Sequence, residues 1–138
     1  TDLNGKEKLK TMFRESLKRS VQDDIFTVAP SFYNNPRLLS SLLHETIEVS
    51  APEYIEPIIR QGVEDGSIVT EHPRQLAELI SLMANLWMNP MVFDDSVEVT
   101  YHKFKVLDQV LKGLGLDIVD EEMLLRMQEL TAVYWKSK

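Results

Sequence analysis

Apolar side chains recur every four residues at Leu9, Phe13, Leu17, Val21 and Ile25, the spacing that lines one face of an α-helix. They predict a first helix from about Gly5 to Phe26, broken by "VAPSFYNNP". A second helix is predicted from Asn35 as cap and Pro36 as first residue, with Leu38, Leu39, Leu42, Leu43 and Ile47 as its buried face. It is expected to end near Ser50. Ser50 then caps the next helix, with Pro52 in the first turn and Pro57 bending it or delaying its regular start.

The stretch "YIEPIIRQGVEDGSI" carries Ile55, Ile58, Ile59 and Val63 at helical spacing. Gly66 is the predicted stop, in the left-handed conformation that glycine adopts without steric cost, with Ile68 folding back on the helix. Gly62 lies inside the same helix, where glycine costs roughly 1 kcal/mol against alanine, so close approach of a neighbouring helix is expected there. After "SIVTEHP", where Thr70 or His72 caps and Pro73 opens, an apolar helix carries Leu76, Leu79, Ile80, Leu82, Met83, Leu86 and Trp87 and ends at Asn89 and Pro90. Asp94 or Asp95 is expected to cap a helix reaching Gly113, and the last helix is expected from Asp120 to about Trp135. No stretch alternates with the period of two that a sheet requires. The expectation is a single all-α domain spanning 1–138, a bundle of about six helices.

The last two helices are apolar over more of their circumference than docking on one core requires. In the first, Val97, Tyr101, Phe104, Leu107, Leu111 and Leu114 form one face, and Val99, Val106 and Val110 extend it. In the second, Val119, Met123, Met127, Leu130 and Tyr134 form one side, widened by Leu124 and Trp135. The excess predicts burial against a second copy, a homodimer through residues 94–136 in which the two helices pair with their symmetry mates as a four-helix bundle. Val99, Val106, Val110, Met123, Met127, Leu130 and Tyr134 are the interface candidates.

Composition narrows the functions available. At 138 residues with 43% hydrophobic positions the chain is long enough to bury one sizeable core. It contains no cysteine, which removes disulfides and thiolate metal sites and suits the reducing cytoplasm, the predicted location. The net charge of −7 argues against this chain neutralising nucleic-acid phosphates itself. Residues 1–22 nevertheless carry six basic against three acidic side chains, either a solvated helix face or an end lying next to a nucleic-acid-binding element. The longest apolar run, "LISLMANLWM", is too short to span a bilayer, so no membrane segment is predicted. The chain opens on Thr1 and reads as a fragment of a longer protein.

Candidate chemistry is sparse. His44 stands four residues before Glu48 and His102 four after Glu98, both as exposed helix pairs, and His72 as a turn or cap residue. No glutamate has histidine three residues on, as a di-metal bundle site requires. There is no phosphate loop, nucleophile elbow or Cys/His pair, so neither an enzyme nor a metal or cofactor is predicted. Two polar residues fall on apolar faces. Asp108 projects between Tyr101, Phe104 and Leu111 and needs a partner such as Arg126 or a ligand, and Thr46 is expected to bond back to its own helix.

The order of these signals, "NPRLLSSLLHETI", then "YIEPIIRQGVEDGSI", a turn with Pro73, the apolar "LAELISLMANLWM" helix and two broad closing helices, resembles the C-terminal domain of TetR-family transcriptional regulators over nearly the whole chain. The resemblance implies an effector-binding and dimerisation domain, with DNA contacted only through an N-terminal helix-turn-helix that this chain lacks. A small effector is expected between the first helices and the "LMANLW" helix, lined by Phe13, Thr46, Met83, Trp87, Tyr101 and Phe104 with Asp108 as the charged neighbour. With no buried basic residue evident in the sequence, the effector is expected to be largely apolar and neutral or cationic. The rival readings are a structural helical homodimer without ligand and an uncharacterised helical enzyme, and the upstream coding sequence separates them.

Overall fold

The computed structural model describes residues 3–22, 32–93 and 95–137, with side chains described except at 17–22, 90–91, 97 and 130–137. All regular structure among them is helical. Helix α1 spans Gly5–Gln22, α2 Pro36–Glu45, α3 Glu56–Asp65, α4 Pro73–Leu82, α5 Pro90–Phe93, α6 Val97–Gly113 and α7 Glu121–Ser137. Two wider π-helical segments complete the chain: π1, Thr46–Ile55, joins α2 to α3, and π2, Met83–Trp87, extends α4. No described helix is long and apolar enough to cross a membrane.

The expected break at Ser50 is absent. Glu45, Thr46, Ile55 and Glu56 all keep right-handed helical dihedrals, so α2, π1 and α3 form one continuous helical rod. The prolines explain the widening. Pro52 and Pro57 have no N–H, and their rings clash with the carbonyl four residues back in a tight α-helix. A π turn moves the acceptor to five residues back, as in the bond from the Glu56 N–H to the Ala51 carbonyl.

The α3 corner follows the sequence closely. Gly66 has φ 84° and ends the helix, while Ile68 is buried and its N–H bonds to the Gly62 carbonyl at 3.0 Å. The close neighbour at Gly62 is the start of α1: a Cβ on Gly5 would lie 2.3 Å from the Gly62 nitrogen. The open donors of α1 are satisfied across this crossing. The Gly5 N–H donates to Asp65 Oδ2 at 2.8 Å and the Lys6 N–H to Ser67 Oγ at 3.1 Å, while Asn4 and Glu7 close a reciprocal capping box. Bonds from the Ser67 hydroxyl, and then from the Ser67 and Gly5 N–H groups, hold the Asp65 carboxyl below its ordinary range.

The described residues share one core. Leu9 of α1, Ile59 of α3, Leu76 and Ile80 of α4, Phe104, Leu107 and Leu111 of α6 and Met123 and Met127 of α7 meet in it. The turn between α6 and α7 contributes Leu116, Ile118 and Val119, all buried. Helix α1 packs on α3 and α7, α4 on π1 and α3, and α6 on α7. Asp120 caps α7 by accepting the Met123 N–H at 2.9 Å and faces Lys10 at 3.3 Å and Arg14 at 3.2 Å on α1. Its carboxyl is held low by the Met123 N–H first and by these two cations after it.

Three expectations change. Helix α2 has no fully buried residue, with Leu38 38% and Leu43 45% exposed, because its packing neighbours are π1 and π2 rather than the main core. Ser96, not Asp94 or Asp95, caps α6, its hydroxyl accepting the Val99 N–H at 3.2 Å. The interface candidates also divide. Met123 and Met127 are 1% and 4% exposed within a single chain and are enclosed by their own core, whereas Val99, Val106 and Val110 are exposed. The side chains of Leu130 and Tyr134 lie outside the described residues.

Candidate functional site

Four of the residues expected to line an effector site sit at the margin of the core. Phe13, Met83, Trp87 and Tyr101 are half-buried and packed against the core cluster. Phe104 lies deeper, at 2% exposure within the cluster itself, and supports the others rather than presenting a surface.

Thr46 is wholly buried at the point where α2 opens into π1. Its hydroxyl donates to the Leu42 carbonyl at 2.8 Å, the local back-bond expected from the sequence, and accepts from the Asn85 side-chain amide at 3.3 Å. Asn85 belongs to π2, so the polar contact links the two stretches in which the α-helical hydrogen-bond pattern widens. Ser81, one turn before Asn85, is 3% exposed, and its hydroxyl has no hydrogen-bond partner. Widened turns of this kind recur at functional sites because they redirect side chains that a regular helix would hold in register.

A second polar centre lies at the far end of π2, and nothing in the sequence reading singled it out. The Lys103 ammonium of α6 reaches Asp95 Oδ2 at 2.6 Å and donates to the Trp87 carbonyl at 3.1 Å. It also sits 3.8 Å from the Phe93 ring centre and 5.3 Å from that of Trp87. Both ionised side chains are largely enclosed, Lys103 at 14% and Asp95 at 18% exposure. The missed signal was a charge inside an apolar arc, since Lys103 lies four residues after Val99 and three before Val106 on the same side of the helix.

Asp108 finds a different partner from Arg126. Lys112, one turn on, binds Oδ2 at 3.0 Å, and this bond raises the Lys112 ammonium above its ordinary value. The Asp108 side chain is 13% exposed and Oδ1 is buried without a donor. Asp108 shares its side of α6 with Tyr101, whose hydroxyl accepts from the Gln128 amide of α7 at 3.2 Å. His44 and Glu48 form the expected exposed pair at 3.5 Å.

The described residues contain no cluster of three or more potential metal ligands. Comparison with protein-family models, with curated proteins and with solved structures finds no match to this chain.

Proposed function

We propose that this chain is the effector-binding and dimerisation domain of a TetR-like transcriptional regulator, located in the cytoplasm and acting on DNA through a separate helix-turn-helix. One observation carries the reading. Large, adaptable side chains, Phe13, Met83, Trp87 and Tyr101, lie half-buried at the margin of the core, and Met83 and Trp87 flank Asn85, whose contact with the buried Thr46 joins two π-helical segments. A site for a small, largely apolar molecule leaves such side chains at its wall with a few convergent polar groups. Effector binding at π1 and π2 would favour one of two arrangements of the rod α2–π1–α3, whose far end holds the start of α1.

Dimerisation is assigned to the exposed stripe of α6, Val99, Val106 and Val110, continued by Leu114 at its C-terminal cap. This stripe and Tyr101 stand on opposite sides of the helix, since nine residues turn it by about 180°. Because Tyr101 faces α7, the stripe is the surface α7 leaves free.

The experiment is expression with the natural upstream coding sequence. The longer protein is expected to carry a helix-turn-helix and to select a duplex from random DNA as a dimer. An upstream sequence with no such motif, giving a protein without duplex affinity, would overturn the proposal.

A further inference from the structure

We infer that Trp87, Phe93 and Asp95 form a recognition site for the ammonium group of a largely apolar amine, occupied in the free protein by the chain's own Lys103. The inference deepens the effector reading and rests on it, because Trp87 belongs to both centres.

The geometry is that of a cation receptor. Two aromatic faces lie 3.8 and 5.3 Å from the ammonium nitrogen, inside the roughly 6 Å over which a ring quadrupole attracts a cation. A carboxylate at 2.6 Å supplies the opposite charge, and the Trp87 carbonyl accepts one N–H at 3.1 Å. These are the groups that distinguish a protonated primary amine from an alcohol of the same shape: the carboxylate and the rings reward the charge, and the carbonyl needs a donor. A plain tie between α6 and the residues before it needs the carboxylate alone.

Phe93 is 46% exposed, so one ring of the site borders solvent, while Lys103 and Asp95 behind it are largely enclosed. Lys103 holds its place through a flexible four-carbon stem, which costs rotamer freedom that is regained when another ammonium takes over. An incoming cation would replace the internal one without leaving the Asp95 carboxylate short of an opposite charge. The Trp87 carbonyl ends π2, so exchange at this point bears directly on the segment carrying Asn85.

The probe is n-hexylammonium, with 1-hexanol as its neutral match. Emission of Trp87 is followed in a Trp135→Phe background, which leaves one tryptophan of two. The chain is expected to respond saturably to hexylammonium and at least ten-fold more weakly to hexanol. Lys103→Met removes the internal competitor and should tighten hexylammonium about ten-fold, and Asp95→Asn should abolish the preference for the amine. Thermal melting establishes that each variant is folded, and Lys103→Gln replaces Lys103→Met if the latter is not. Equal affinity for amine and alcohol would overturn the ammonium site and leave the effector reading standing. A response to neither ligand would overturn both. Binding to Lys103→Met without binding to the unaltered chain would also overturn the inference, reducing Lys103 to a strut.

Discussion

Three glycines in this chain meet three different physical demands, and the consequences of replacing them separate accordingly. A methyl group on Gly5 meets backbone, the Gly62 nitrogen at 2.3 Å and the Ile58 carbonyl oxygen at 2.7 Å, neither of which moves without parting α1 from α3. Gly5→Ala is therefore expected to lower stability by about 1–3 kcal/mol, the usual range for overpacking. Gly62 differs, because its nearest obstruction is the Ile68 side chain, at 2.5 Å from Cδ1. Ile68 Cγ1 and Cβ follow at 2.6 and 2.9 Å, so Ile68 must shift rather than merely rotate, but the roughly 1 kcal/mol of helix propensity that alanine restores offsets part of the strain, so Gly62→Ala should cost less than Gly5→Ala. Gly66 has open space around it but φ 84°, and Gly66→Ala should cost on the order of 1 kcal/mol from the left-handed backbone alone. Urea denaturation of the three variants tests this ranking, and a Gly62 variant weaker than the Gly5 variant would contradict it.

Among the elements, α1 is fixed at its start and again near its middle by carboxylates from elsewhere in the chain. Asp65 receives its first N–H group, and Asp120 holds Lys10 and Arg14 while capping α7. Both carboxyls sit below their usual value of 3.8. The folded state thus binds protons less readily than the unfolded chain at these positions. Their contribution is complete above the unfolded value and is lost as pH falls through the lower, folded one. Urea midpoints should decline as pH falls below 3.8. Asp120→Ala removes cap and charge together and should cost about 1–2 kcal/mol near neutral pH. Asp120→Asn keeps a competent cap and should cost less than about 1 kcal/mol, since the partly exposed ion pairs contribute little each, while flattening part of the acid decline. An asparagine variant as unstable as the alanine one would show that the charge outweighs the cap. In π1, Thr46→Val keeps the side chain's shape but strands the Asn85 amide, at an expected cost of about 1–2 kcal/mol.

For the whole molecule the decisive quantity is what covers α6. Val99, Val106, Val110 and Leu114 are each about two-fifths exposed, at 42%, 45%, 39% and 41%, along one line of the helix. Contiguous apolar surface of this kind, beyond a few hundred Å², marks an association site on a soluble domain. The stripe falls at Val99, Val106, Val110 and Leu114 with the Lys103 stem between the first two, so an antiparallel copy sets Val99 opposite Leu114 and the Lys103 stem opposite Val110. Such a two-fold pairing uses the same surface twice. Sedimentation velocity at micromolar concentration is expected to show a dimer for the unaltered chain and a monomer for Val106→Asp, with unchanged helical content. A folded monomer in the unaltered chain would remove the interface and with it much of the case for a paired DNA-binding protein.

Local rules alone determined the all-helical class, the start of α2 at Pro36, the stop at Gly66, the crowding at Gly62 and the start of the last helix next to Asp120, because each depends on spacing or on the conformational range of one residue. Thr46's back-bond was legible for the same reason: its acceptor lies four residues away on its own helix. Tertiary structure decided the rest. Whether Pro52 breaks a helix or widens it depends on neighbours that hold both halves in line, and packing on α4 keeps the rod continuous. Met123 and Met127 have the same apolar character as Val106, and only the placement of α1 and α6 over α7 puts them inside and leaves the valines outside. Lys103 and Asp95 are eight residues apart and unremarkable in sequence; they meet beside Phe93 and Trp87 only in the folded chain. Charge pairing of this kind obeys no fixed spacing, and so the most chemically distinctive group in the molecule was the one its sequence did not announce.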